Sequence, residues 1–98
     1  MILVLGEAQV DPEHLAHALA LGREHSARSR GEPGCLAHNV HEDAETPGRI
    51  VFVERWADMA SLKAHFDVPA SGDFVTKLRG WATWPPSIAI YDASEISG

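Results

Sequence analysis

The chain is 98 residues long and 45% hydrophobic, enough for a single domain over residues 1–98 and too little for two separate cores. Eight Lys and Arg against fourteen Asp and Glu leave a net charge of −6, and the basic residues are scattered, so neither a nucleic acid nor an anionic membrane surface is an expected partner. The lone cysteine, Cys35, cannot close a disulfide within the chain, which leaves packing to hold the fold and matches a reducing, cytoplasmic setting.

Residues 2–10 alternate as a strand, with Ile2, Val4, Gly6, Ala8 and Val10 on one side and Leu3, Leu5, Glu7 and Gln9 on the other. This start is apolar but short and lacks a basic leader, so it reads as a strand and not as a signal peptide. Asp11-Pro12 then opens a helix over 13–30 whose inward stripe is Leu15, Leu19, Gly22 and Ser26, with Ala18 beside it. Gly31-Glu32-Pro33-Gly34 is a hard stop. Cys35 to Glu42 alternates as a second strand, Leu36, His38 and Val40 facing one way and Ala37, Asn39 and His41 the other. After the polar turn 43–48, the β-prone run Arg49 to Trp56 predicts a third strand paired with the second as a hairpin.

Asp58 caps a helix through Phe66 with Met59, Leu62, His65 and Phe66 on its apolar face. Pro69 interrupts it, and a second helical piece from Ser71 repeats Phe74, Leu78 and Trp81 on one stripe. Pro85-Pro86 ends that piece, and Ser87 to Tyr91 supplies the last strand. Strand, helix, strand, strand, broken helix, strand is the βαββαβ order of the α+β ferredoxin-like fold, an antiparallel sheet with helices on one face. Nothing in the chain remains to cover the other face, so a second copy is expected there, giving a homodimer.

Gly34-Cys35 opening the second strand, Pro47-Gly48-Arg49 before the third, and FVERWADMASLKAHF from Phe52 to Phe66 together resemble the antibiotic biosynthesis monooxygenase family. Its hallmark, Glu-x-Trp closing the third strand and an Ala-His pair on the next helix, corresponds to Glu54, Trp56, Ala64 and His65. The resemblance implies a dimeric α/β barrel whose protomers each enclose a pocket between sheet and helices. It also implies a monooxygenase acting with molecular oxygen on a quinol or a polycyclic aromatic polyketide, without a cofactor. Haem-degrading members use an Asn on the first strand and a His on the later helical segment. The first strand here offers Glu7 and Gln9, and residues 71–83 contain no His, so haem is not expected. A non-catalytic dimer that binds a small aromatic ligand is the alternative of a different class.

Oxygen reacts slowly with paired electrons, yet a deprotonated hydroquinone or enol can supply the electron itself. Such an enzyme needs an apolar pocket, a group that takes the phenolic proton, and donors that steady the anion. His65 and His38 are the expected catalytic residues, since imidazole titrates near neutrality. Aromatic residues at helical spacing are mostly core, so Trp56 and Phe66 are the expected cavity lining, with Phe74 and Asn39 as further substrate contacts. Alternation lets only one of His38 and Asn39 face the pocket, and His38 is the one assigned. Glu54 is expected to be structural, paired either to His65 or to an Arg of a partner subunit.

Six histidines also raise the question of a metal. His14 and His17 sit in an exposed first turn, and His38 and His41 project to opposite faces of a strand, so no protein-built metal centre is expected. Cys35 has no partner for a nucleophile and reads as a small buried side chain.

Overall fold

A computed structural model describes residues 1–98. The strands are β1 (Ile2–Val10), β2 (Cys35–Glu42), β3 (Arg49–Trp56) and β4 (Ala82–Asp92); the helices are α1 (Leu15–Ser29), α2 (Met59–Asp67) and α3 (Pro69–Trp81). The strands form one antiparallel sheet in the order β2-β3-β1-β4, the ferredoxin-like arrangement that the element order predicts. Asp11 caps a short 3-10 turn, Pro12–His14, by accepting from the Glu13 N–H, and α1 proper follows at Leu15. No helix is long and apolar enough to cross a membrane.

The helices cover the face of the sheet that carries Val4, Ala8 and Val10 of β1 and Ile50, Phe52, Glu54 and Trp56 of β3. Two apolar clusters hold them. One joins Ala8, Val10, Ile50 and Phe52 to Ala18, Phe74 and Leu78; the other joins Val4 and Trp56 to Leu62. Along β3 the buried positions run Ile50, Phe52, Glu54, Trp56, so Glu54 falls between the two clusters and marks a polar seam through the core. Gly22 lets α1 lie close over this seam: a Cβ there would stand 3.2 Å from both Phe52 and Val40.

Three details depart from the sequence reading. The pairing of β2 with β3 slips between Cys35 and Ala37, which turns Leu36 outward to 54% exposure instead of onto the face of His38 and Val40. Pro69 sits at the first turn of α3 and so starts that helix two residues before Ser71, because the first turn needs no backbone donor. The last strand begins at Ala82 and takes in Pro85-Pro86. It lies at the sheet edge, where missing donors are tolerated, and its register against β1 shifts around the prolines. The opposite face of the sheet carries Leu3, Leu5, Val51, Val53, Ala89 and Tyr91 with no helix over it, leaving Leu5 40% and Tyr91 50% exposed.

Candidate active site

The polar seam converges on three buried histidines from three elements: His25 of α1, His38 of β2 and His65 of α2. Their ring centroids are 5.0 Å (His25 to His38), 5.3 Å (His25 to His65) and 5.5 Å (His38 to His65) apart. Each ring has its Nδ1 engaged by a different neighbour. Arg28 donates to Nδ1 of His25 at 2.6 Å, Ser26 Oγ meets Nδ1 of His38 at 2.8 Å, and Nδ1–H of His65 donates to Glu32 at 2.8 Å.

These partners decide the tautomers. A guanidinium can only donate, so His25 must present its Nδ1 lone pair to Arg28 and carry its own proton on Nε2. The Glu32 carboxylate can only accept from His65, which puts the His65 proton on Nδ1 and leaves a lone pair on Nε2. Glu32 is delivered by the turn between α1 and β2. Gly34 closes that turn at φ +80, and a Cβ there would meet the Ser61 Cβ at 2.5 Å.

Burial is the main cause holding His25 at a pKa of about 3, helped by the nearby His38, Arg28 and His65. His38 is likewise lowered to about 3 by burial first, then by His65, Arg30 and Arg28. Both are therefore neutral at physiological pH. Burial pushes the Glu54 carboxyl up, against a hydrogen bond from the Trp56 indole N–H at 3.0 Å. His38 Nε2 lies 3.3 Å from Glu54 but outside hydrogen-bonding geometry, and it is sealed from solvent without a partner.

A cavity of about 290 Å³ opens from this seam between α3 and the β1, β3 and β4 strands. Phe52, Phe66, Phe74, Ile88 and Ile90 supply apolar wall, and His25, Glu54, His65 and Ser71 supply the polar groups. The size sits near the lower end for small-molecule sites, about 300 Å³. The Nε2 atoms of His25 and His65 have no protein partner, yet neither is sealed from solvent as His38 Nε2 is. Both rings line the cavity.

Of the residues expected from the sequence, His65, Phe66 and Phe74 reach this cavity, and His38, Trp56 and Asn39 do not. His38 stands behind the other two imidazoles. Trp56 is 0% exposed and packs on His65, with ring centroids 4.7 Å apart. Asn39 is exposed on the face opposite His38, where Arg30 approaches its side chain at 3.5 Å. The cavity thus opens over β1, β3 and β4, away from the edge strand that carries His38 and Asn39. Glu54 does not hydrogen-bond His65: it is buried beneath the helices, where it accepts from the Trp56 indole N–H.

The residue missed was His25. It falls three residues after Gly22 and four before Ser29, in phase with the buried stripe of α1, and that phase was its available signal. One nitrogen of each of the three rings lies within 4.8 Å of one from the others, a spacing that invites a metal ion. This set differs from the sequence pairs His14–His17 and His38–His41, because it joins three elements. Three lone pairs are required, however, and Arg28 at Nδ1 ties up one of them, so the cluster offers an inward lone pair from His65 and a proton from His25.

A ferredoxin-like domain with an apolar cavity ending on two buried imidazoles defines a small-molecule site built between sheet and helices. The profile of the antibiotic biosynthesis monooxygenase family matches residues 1–77, and the chain belongs to that family. A crystal structure described as an antibiotic biosynthesis monooxygenase shares 29% identity and a TM-score of 0.88, covering 97% of this chain and 100% of the other. A Deinococcus radiodurans protein, provisionally described in the same way, shares 26% identity and a TM-score of 0.94 over 100% of this chain and 97% of its own. An uncharacterized Synechocystis protein, sll1783, is 33% identical over 94 residues, which are 96% of this chain. This chain spans 64% of that relative's length.

Proposed function

We propose that this protein is a homodimeric, cytoplasmic monooxygenase that oxidises a quinol or polycyclic aromatic with molecular oxygen and without a cofactor. The observation that carries the reading is the His65–Glu32 pair at the inner end of an aromatic-walled cavity, in a chain of this family. Glu32 fixes the His65 ring with its lone pair on Nε2, and a carboxylate acceptor also steadies the imidazolium that forms when Nε2 takes a proton. Phe66 and Phe74 offer flat faces to an aromatic ring. The phenolate made by His65 is electron-rich enough to reduce oxygen directly.

The stoichiometry closes without an external reductant. A hydroquinone and O₂ give a hydroxyquinone and water: one ring C–H bond is lost, one C–O bond forms, and the second oxygen atom leaves as water. The uncovered sheet face, with Leu5, Val51, Val53 and Tyr91, supports pairing of two copies.

Incubation with a panel of hydroquinones under ¹⁸O₂ tests the activity. One labelled oxygen atom per product molecule is the expected result. Unlabelled product would contradict oxygen insertion, and tight binding with no product would favour the non-catalytic binding dimer.

A further inference from the structure

We propose that His25 and His65 form a two-imidazole clamp on a single ligand hydroxyl, His25 donating to its oxygen and His65 accepting its proton. This assigns His25 as a second residue in contact with the ligand and rests on the functional reading above for its catalytic meaning. It also narrows the ligand to a neutral phenol or enol that enters as the hydroxyl and is held as the anion.

Both tautomers are fixed by neighbouring side chains. Arg28 at 2.6 Å from Nδ1 leaves His25 an N–H on Nε2, and Glu32 at 2.8 Å from Nδ1 leaves His65 a lone pair on Nε2. Neither Nε2 has a protein partner, neither is sealed off, and both rings line the cavity. A ring nitrogen of each lies within 4.8 Å of one from the other. The two ring centroids stand 5.3 Å apart, and one oxygen at about 2.8 Å from each Nε2 can bridge nitrogens up to about 5.6 Å apart.

A hydroxyl is the group that satisfies both at once, because it donates and accepts through one atom. A methyl ether leaves the His65 lone pair unmatched, and a carboxylate meets that lone pair with its own. The His25 ring is held for the task by stacking on Phe74 at 4.1 Å and 6°. It stays neutral because of burial and its cationic neighbour, so its N–H donates without titrating near pH 7. Once His65 takes the proton, the same N–H faces the phenolate oxygen, the place where a preorganised donor is most effective.

Two measurements test this without needing turnover. Long-range ¹H–¹⁵N NMR of the wild-type protein at pH 7 should show His25 as the Nε2–H tautomer and His65 as the Nδ1–H tautomer. The opposite tautomer at either ring overturns the clamp, as does a joint shift of all three histidines on adding one equivalent of Zn²⁺, which would make the cluster a metal site. The second compares 1-naphthol with 1-methoxynaphthalene. Wild type should prefer the naphthol by about tenfold, and His25→Phe, which keeps a ring against Phe74, should bring the two within about twofold. Bound naphthol should also ionise at a lower pH in wild type than in His25→Phe. An unchanged preference and ionisation in a folded variant contradict the proposal. Failure of oxygenation alone leaves these binding results standing and bears only on the activity.

Discussion

An imidazole that is neutral in the fold and charged in the unfolded chain makes stability fall as pH falls. His25 and His38 are held near a pKa of about 3 against an unfolded value of 6.5, so their contribution is complete above pH 6.5 and drains away below it. Each takes up about one proton on unfolding across that interval, worth roughly 1.4 kcal/mol per pH unit. Glu54 acts with the opposite sign: its carboxyl is raised, so the folded state keeps a proton that the unfolded state releases above 4.5. The expected net slope between pH 6 and 5 is therefore one to two protons. Denaturant midpoints at several pH values check it, and His38→Phe should reduce the slope by one proton. A flat profile over this range would mean that the two rings are charged or solvated in the fold. At the same scale, His65→Gln should lower kcat toward a hydroquinone by about 10²–10⁴ with a smaller change in KM. His38, sealed behind the cavity, should affect kcat far less than stability.

The turn between α1 and β2 is the element on which the site depends. It carries Glu32 to His65 and ends at Gly34, whose carbonyl accepts from the Ala57 N–H at 2.8 Å. Gly34→Ala places a Cβ against Ser61 at a positive φ, and a loss of roughly 1–3 kcal/mol is expected, together with loss of the His65 tautomer preference. Asp58 caps α2 by accepting from the Ser61 N–H at 2.8 Å, so Asp58→Ala should cost about 1 kcal/mol. Chemical denaturation reads both.

Much of this level was legible in the sequence. Alternation located β1, β2 and β3, and cap and stop residues located α1 and α2, because local spacing reflects which face is buried. The early start of β4 was not legible, since two prolines read as a terminator unless the strand is known to be an edge. The bulge at Leu36 and the Glu32–His65 contact were hidden for a related reason. A slip in register and a pairing across 33 residues depend on how elements meet, which spacing along one element does not record.

At the scale of the whole molecule, the sheet is apolar on both faces and the helices cover one. Pairing through the open face predicts a sedimenting species of about twice 10.6 kDa. Val53→Glu, at the centre of that face, should yield a monomer that retains its secondary structure; a monomeric wild type would place the open face in contact with something other than a second copy. The cavity lies on the helix side, so each protomer carries its own His25 and His65. A crystal structure with 1-naphthol bound shows whether a phenolic ligand enters this cavity with its hydroxyl at the two imidazoles. The hydroxyl is expected within about 3 Å of a ring nitrogen of both His25 and His65, with the ring against Phe66 and Phe74. A ligand seated on the open sheet face, or turned so that its hydroxyl points away from the histidines, would contradict this placement.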